Sequence, residues 1–68
     1  MDHHQIILRC LRTEGPLGKD GISKLTGLDV NQCSRALPIL QRQGQVELTG
    51  RKVISDSNRP ERQWRAVA

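Results

Sequence analysis

The stretch GLDVNQCSRALPILQRQG, residues 27–44, decides the fold. Gly27 suits the left-handed residue that closes a preceding helix. Leu28 fills the corner of the turn, and Asp29 is a natural N-cap for the next helix. At about 100° per residue, Cys33, Ala36, Leu37 and Leu40 cluster on one side, with Val30 at the edge of that stripe. Asn31, Arg35, Pro38 and Arg42 fall in a narrow stripe opposite, flanked by Gln32 and Ser34. Packing explains the first side. The second is polar and basic. The spacing predicts a helix over 29–43, ended by Gly44. Pro38 does not fit a plain helix, because an interior proline removes a hydrogen bond and costs about 3 kcal/mol. A bend or a looser turn is expected near Ser34–Pro38.

Upstream, Asp2 caps a first helix over 2–14, in which Ile7, Leu8 and Leu11 share one stripe with Ile6 and Cys10 beside it. Gly15-Pro16 stops that helix. The arc Ile6-Ile7-Leu8 is wider than one packing face requires, and the surplus is expected to face a second copy of the chain. Leu17 docks as a strand of one or two residues. The segment KDGISKLT, 19–26, is a second helix with Ile22 and Leu25 directed inward. Downstream, a hairpin is predicted over 45–67. Val46 and Leu48 alternate inward, and a bulge is expected at Gly50. SDSNRP forms the tip. Trp64 and Ala66 share a face, with Trp64 read as core beneath the hairpin rather than as a stacking platform.

A chain of 68 residues makes one small domain. Cys10 and Cys33 form no CxxC pair, and both fall on apolar helix faces. The pattern suits neither a disulfide-dense scaffold nor a structural zinc site, and a reducing, cytoplasmic compartment is expected. His3 and His4 lack a third metal ligand in the pattern, and no cofactor is implied. No apolar run reaches the length of a membrane span, and QIILRCL is too short and polar for a signal-peptide core. No nucleophile–base set can be assembled around either cysteine. GPLGKDG lacks the spacing and terminal GK[ST] of a phosphate loop. The chain is thus read as a binding protein, not an enzyme. Its net charge is +4 and unevenly spread: residues 51–68 carry five Lys/Arg against two Asp/Glu. A basic segment beside a compact core suits a polyanionic partner or an ordinary solvated surface, and charge alone favours the second slightly.

The order helix, short strand, helix, turn, helix, basic hairpin resembles the winged helix-turn-helix family. IL..L...GPL in the first helix, ISKLTGLD across the second helix and turn, and CSRAL..L...GQV through the third helix carry the resemblance. It implies an α+β domain of three helices, a short strand and a two-stranded β-hairpin wing. It implies a sequence-specific double-stranded DNA-binding protein that regulates transcription, nucleoid-associated if bacterial. The third helix would enter the major groove, with Asn31, Gln32, Ser34 and Arg35 near base edges and Arg42 on a phosphate. Arg51, Lys52, Arg59 and Arg62 of the wing would hold phosphates or probe a minor groove. Two other readings stay open. One is a winged-helix module that binds a protein partner within a transcription, replication or secretion assembly. The other is a binder of Z-form nucleic acid. SRAL..L...G followed by Trp64 is similar to such domains, although Ser34 stands where they prefer asparagine, no tyrosine is present, and Pro60 alone represents their wing prolines.

Overall fold

The computed structural model describes residues 2–67. Its elements are α1 (His3–Glu14), β1 (Leu17–Gly18), α2 (Lys19–Thr26), α3 (Val30–Arg42), β2 (Val46–Ile54) and β3 (Pro60–Ala66). Asp2 caps α1 by accepting from the Gln5 N–H at 2.9 Å. Gly27 closes α2 in the left-handed conformation, φ 78°. Asp29 and Gln32 form a reciprocal capping box on α3. The Asn31 N–H donates to Asp29 Oδ1 at 3.2 Å, and the Asp29 N–H donates to Gln32 Oε1 at 3.0 Å. At the other end, the Gly44 N–H bonds the Gln41 carbonyl and the Gln45 N–H bonds the Leu40 carbonyl. That pair of bonds is a Schellman closure, and it turns the chain directly into β2.

The helix α3 runs through Pro38 without interruption, so of the expected bend or looser turn the looser turn is absent. Proline removes only the bond to the Ser34 carbonyl, and both residues lie on the exposed side. Solvent can serve that carbonyl, so the packed side of the helix loses nothing.

Three antiparallel strands order as β1-β3-β2. The central strand β3 pairs Trp64 with Leu17 on one side and with Leu48 on the other. The expected bulge is present. Leu48 pairs with Trp64 and Lys52 with Arg62, so Thr49, Gly50 and Arg51 together oppose Gln63. Gly50 takes φ +86°, which a side chain would resist. Thr49 Oγ1 donates to Gln63 Oε1 at 2.7 Å and accepts from the Arg51 N–H at 3.2 Å, which satisfies polar groups freed by the bulge. The three helices and the hairpin form the winged helix-turn-helix fold.

Ile7, Leu8 and Leu11 of α1, Ile22 of α2, and Cys33, Ala36, Leu37 and Leu40 of α3 meet Val46 and Trp64 of the sheet in one core. Leu17, Leu28, Leu48 and Ala66 pack at its edge. Two expectations are corrected here. Leu25 does not point inward; it is 56% exposed. Ile22 alone anchors this eight-residue helix, and Leu28, beyond the turn, supplies the packing expected of Leu25. The arc Ile6-Ile7-Leu8 is not a spare surface either. Ile7 and Leu8 are buried in the core, and only Ile6 stays partly exposed.

One local arrangement fixes how the hairpin sits on the helices. The N-cap of α2 is Gly18, which has no side chain to close the helix. Glu61 of β3 does so instead, its Oε1 accepting from the Asp20 N–H at 3.0 Å. A Cβ on Gly18 would lie 2.3 Å from Glu61 Oε1 and 2.6 Å from Val53 Cγ2. Gly18→Ala is expected to displace both side chains and destabilise the domain by about 1–3 kcal/mol, the usual range for overpacking. For a domain this small, each kcal/mol lowers Tm by about 4–8 °C. Thermal unfolding followed by circular dichroism checks this, and an unchanged Tm would show that the contact is not tight in solution.

Candidate nucleic-acid interface

The capping box and the Schellman closure hold α3 at both ends, and its buried stripe sets its rotation. Asn31, Ser34, Arg35 and Arg42 are consequently all exposed, as the stripe pattern predicted. Gln32 is half-buried and its carbonyl oxygen is occupied by the Asp29 N–H. Gln32 therefore serves the helix terminus as well as lying beside the polar face. Arg42 sits in the last turn, distant along the helix from Asn31.

On the wing, Arg51 flanks the bulge, Lys52 and Arg62 are cross-strand partners, and Arg59 closes the tip. All four are exposed. Among the described residues, none of them forms a salt bridge, and neither does Arg35 or Arg42; the ion pairs present are Lys24–Asp20, Lys24–Asp56 and Arg65–Glu47. Directly opposed residues share a sheet face, and side chains two apart along a strand share it too. Lys52 and Arg62 therefore lie on the face that carries Trp64, the face turned toward the helices.

The two elements meet in a groove of about 320 Å³, lined by Ser34, Leu37 and Pro38 of α3, Pro60, Glu61 and Arg62 of β3, Lys19 of α2, and the edge of Trp64, so an acidic side chain stands among its cations. The structure thus brings Ser34 and Arg62 together. Of the expected site residues only these two line that groove; Asn31, Gln32, Arg35 and Arg42 of α3 and Arg51, Lys52 and Arg59 of the wing do not. Lys19 is the residue missed in the sequence. The register that pairs Leu17 with Trp64 and Gly18 with Gln63 carries the chain on so that Lys19 arrives beside Arg62. Its signal is the GPLGK run leading from a two-residue strand into a helix, but its neighbour is 43 positions away in sequence. Trp64 is 7% exposed and belongs to the core.

A second feature lies on the opposite flank of α2. Leu25 and Ile6 border a shallow cleft between α1 and α2, with Arg9 and Glu14 at its margins. Among the described residues no group of three or more His, Cys, Asp or Glu side chains is placed to hold a metal ion. No helix of the described residues is long and apolar enough to cross a membrane.

No protein-family model and no curated protein matches the chain. Solved structures do match its fold. One is a "Possible transcriptional regulator" from Methanosarcina mazei Go1, superimposing with a TM-score of 0.76 at 14% sequence identity. The match covers 100% of this chain and 57% of that one, so the chain spans little over half the length of the solved protein. At that identity the likeness is one of fold.

Cys10 and Cys33 are both buried free thiols. Burial raises the pKa of each above the ordinary thiol value; Glu14 adds to this for Cys10, and Cys10 and Asp29 add to it for Cys33, against a smaller lowering from a backbone hydrogen bond. The native state therefore holds both thiols protonated, and they are inert by the same physics. The unfolded chain ionises first, so the thiols favour the native state at neutral pH and lose that contribution as pH rises through their titration. Both cysteines are expected to react slowly with a disulfide reagent such as DTNB in the native protein, and rapidly once guanidinium unfolds it. Fast native labelling at neutral pH would contradict the burial.

Proposed function

We infer that this domain binds double-stranded DNA sequence-specifically and regulates transcription, reading the major groove with α3 and holding phosphates with the wing. The observation that carries this reading is a set of cations that form no salt bridge among the described residues, exposed Arg35, Lys52, Arg59 and Arg62 with half-buried Lys19. Arg35 stands on α3, Arg62 and Lys19 at the groove, and Lys52 and Arg59 on the wing, with no acidic side chain on the exposed stripe of α3. Exposed arginines without partners are poorly used by the fold itself, since surface ion pairs contribute only about 0–1 kcal/mol. They suit a polyanion, where each neutralised phosphate releases counterions. Asn31 and Arg35 add the side chains that pair bidentately with adenine and guanine edges. Ser34 at the groove margin adds a hydroxyl. The known fold neighbour is consistent with a regulatory role.

In this reading Arg35 contacts a base, whereas Lys19, Lys52, Arg59 and Arg62 contact phosphates. Arg42 and Arg51, which do not line the groove, contribute phosphate contacts at the margins. A second reading rests on Leu25. An exposed leucine beside Ile6, on the flank away from the cationic groove, suits a protein partner and is compatible with DNA binding on the other side.

The test is a fluorescence-anisotropy titration of duplex DNA at several salt concentrations, first with random sequence and then with a selected site. Wild type should bind with log Kd rising linearly in log salt. Lys19→Ala and Arg62→Ala should each weaken binding on every sequence and reduce that slope by about one. Arg35→Ala should cost about 1–3 kcal/mol on the selected site and much less on random duplex. Absence of duplex binding at low salt would sink the reading.

A further inference from the structure

The wing does not stand free of the domain. Its tip reaches back to α2, the helix before the recognition helix. The Asp56 N–H donates to Asp20 Oδ2 at 3.2 Å, across 36 positions of sequence. The Asp56 carboxylate accepts from the Lys24 ammonium. Asp20 and Lys24 lie one turn apart on α2, with Nζ and Oδ2 4.0 Å apart. Asp20 therefore receives the tip amide through its side chain while its own backbone N–H goes to Glu61, just beyond the tip on β3. One turn of α2 thus holds the wing at two heights.

We propose that Asp56, clasped by Lys24 and Asp20, is a positioning residue that fixes the wing tip in the orientation from which Arg59 and Arg62 meet DNA. This deepens the DNA-binding reading and rests on it. A wing needs such a device here for a stated reason. Beyond Val53 the hairpin leaves the core: Ile54 is 67% exposed, and the tip from Asp56 to Pro60 is exposed throughout. The bulge at Gly50 also interrupts the ladder between Leu48 and Lys52. Nothing apolar orders the tip. Tip order therefore depends on polar contacts, and those to α2 are the ones that tie it to the rest of the domain. Within the tip, the Ser55 N–H to Arg59 carbonyl and Asn58 N–H to Ser55 carbonyl bonds fix its local shape, not its direction.

The proposal makes a prediction opposite in sign to simple charge. Asp56 is an acid in a basic wing, so its neutralisation should by Coulomb's law tighten DNA binding. If Asp56 positions the tip, Asp56→Asn weakens it instead. The experiment measures duplex affinity for wild type, Asp56→Asn, Lys24→Met and the double variant, together with the backbone 15N heteronuclear NOE of residues 55–59 in the DNA-free protein. The expected result is a loss of about two- to fivefold for Asp56→Asn, the range an exposed ion-pair network supports. Lys24→Met should lose a similar amount, and the double variant no more than the worse single, because both remove one contact. The NOE at Asp56–Asn58 should fall in each variant while the NOE in α1 and α3 is unchanged. Tighter or unchanged binding by Asp56→Asn overturns the proposal, and so do additive losses or an unaltered NOE. If wild type binds no duplex, the DNA-binding reading fails and the positioning role falls with it. The NOE still decides separately whether the clasp orders the tip.

Discussion

The bond from the Asp20 N–H, in the first turn of α2, to the carboxylate of Glu61 is the contact that seats the wing strand against the helices. Helix starts leave N–H groups without partners, and most helices solve this with their own capping side chain. Here α1 and α3 do so, through Asp2 and Asp29. The second helix cannot, because its N-cap is a glycine. Glycine is demanded there because the wing strand comes so close that a methyl group would collide with Glu61 and Val53. The missing cap and the close approach are one solution. The glycine admits the strand, and the strand supplies the cap. Once Glu61 is seated, Arg62 is directed to the helix-facing side and Lys19, the next residue after Gly18, lies next to it.

That arrangement shows which parts of the domain were legible in the sequence. Local signals were read directly. Asp2, Asp29, Gly27 and Gly15 mark helix ends through contacts within a few residues, and the apolar stripe of α3 follows from its period. The bulge at Gly50 was legible because glycine interrupts an otherwise alternating run. The exposure of Asn31, Ser34 and Arg35 follows from the same period. Signals that depend on distant partners were not legible. The cap on α2 comes from Glu61, and Lys19 becomes part of the groove only when β1 pairs with β3.

The two corrections have a common physical origin. Leu25 and the Ile6-Ile7-Leu8 arc were both judged from periodicity within one helix. Periodicity gives the direction of a side chain but not the amount of core available to receive it. In a domain this small a handful of large side chains fills the interior, and the order of filling is set by the sheet. Trp64 and Val46 come from below, and α1 must lay two adjacent residues, Ile7 and Leu8, onto them. The helix α2 is short and held at its N-terminal end by Glu61, so it presents one residue, Ile22. Leu28, on the turn that follows, is better placed than Leu25 to close the remaining gap.

Pro38 illustrates the same separation between packing and surface. On the buried side of α3 a proline would break the ladder and remove an interior contact. On the exposed side its cost is confined to one carbonyl that solvent can reach. What it contributes is shape: a rigid ring without a donor, beside Ser34, forming one wall of the groove whose other wall is Pro60 and Arg62. Neither proline has side-chain rotamers to lose when the groove is filled. Shape at this groove comes from Pro38 and Pro60 and charge from Lys19, Arg62 and Glu61, so the sequence divides the two between different residue types.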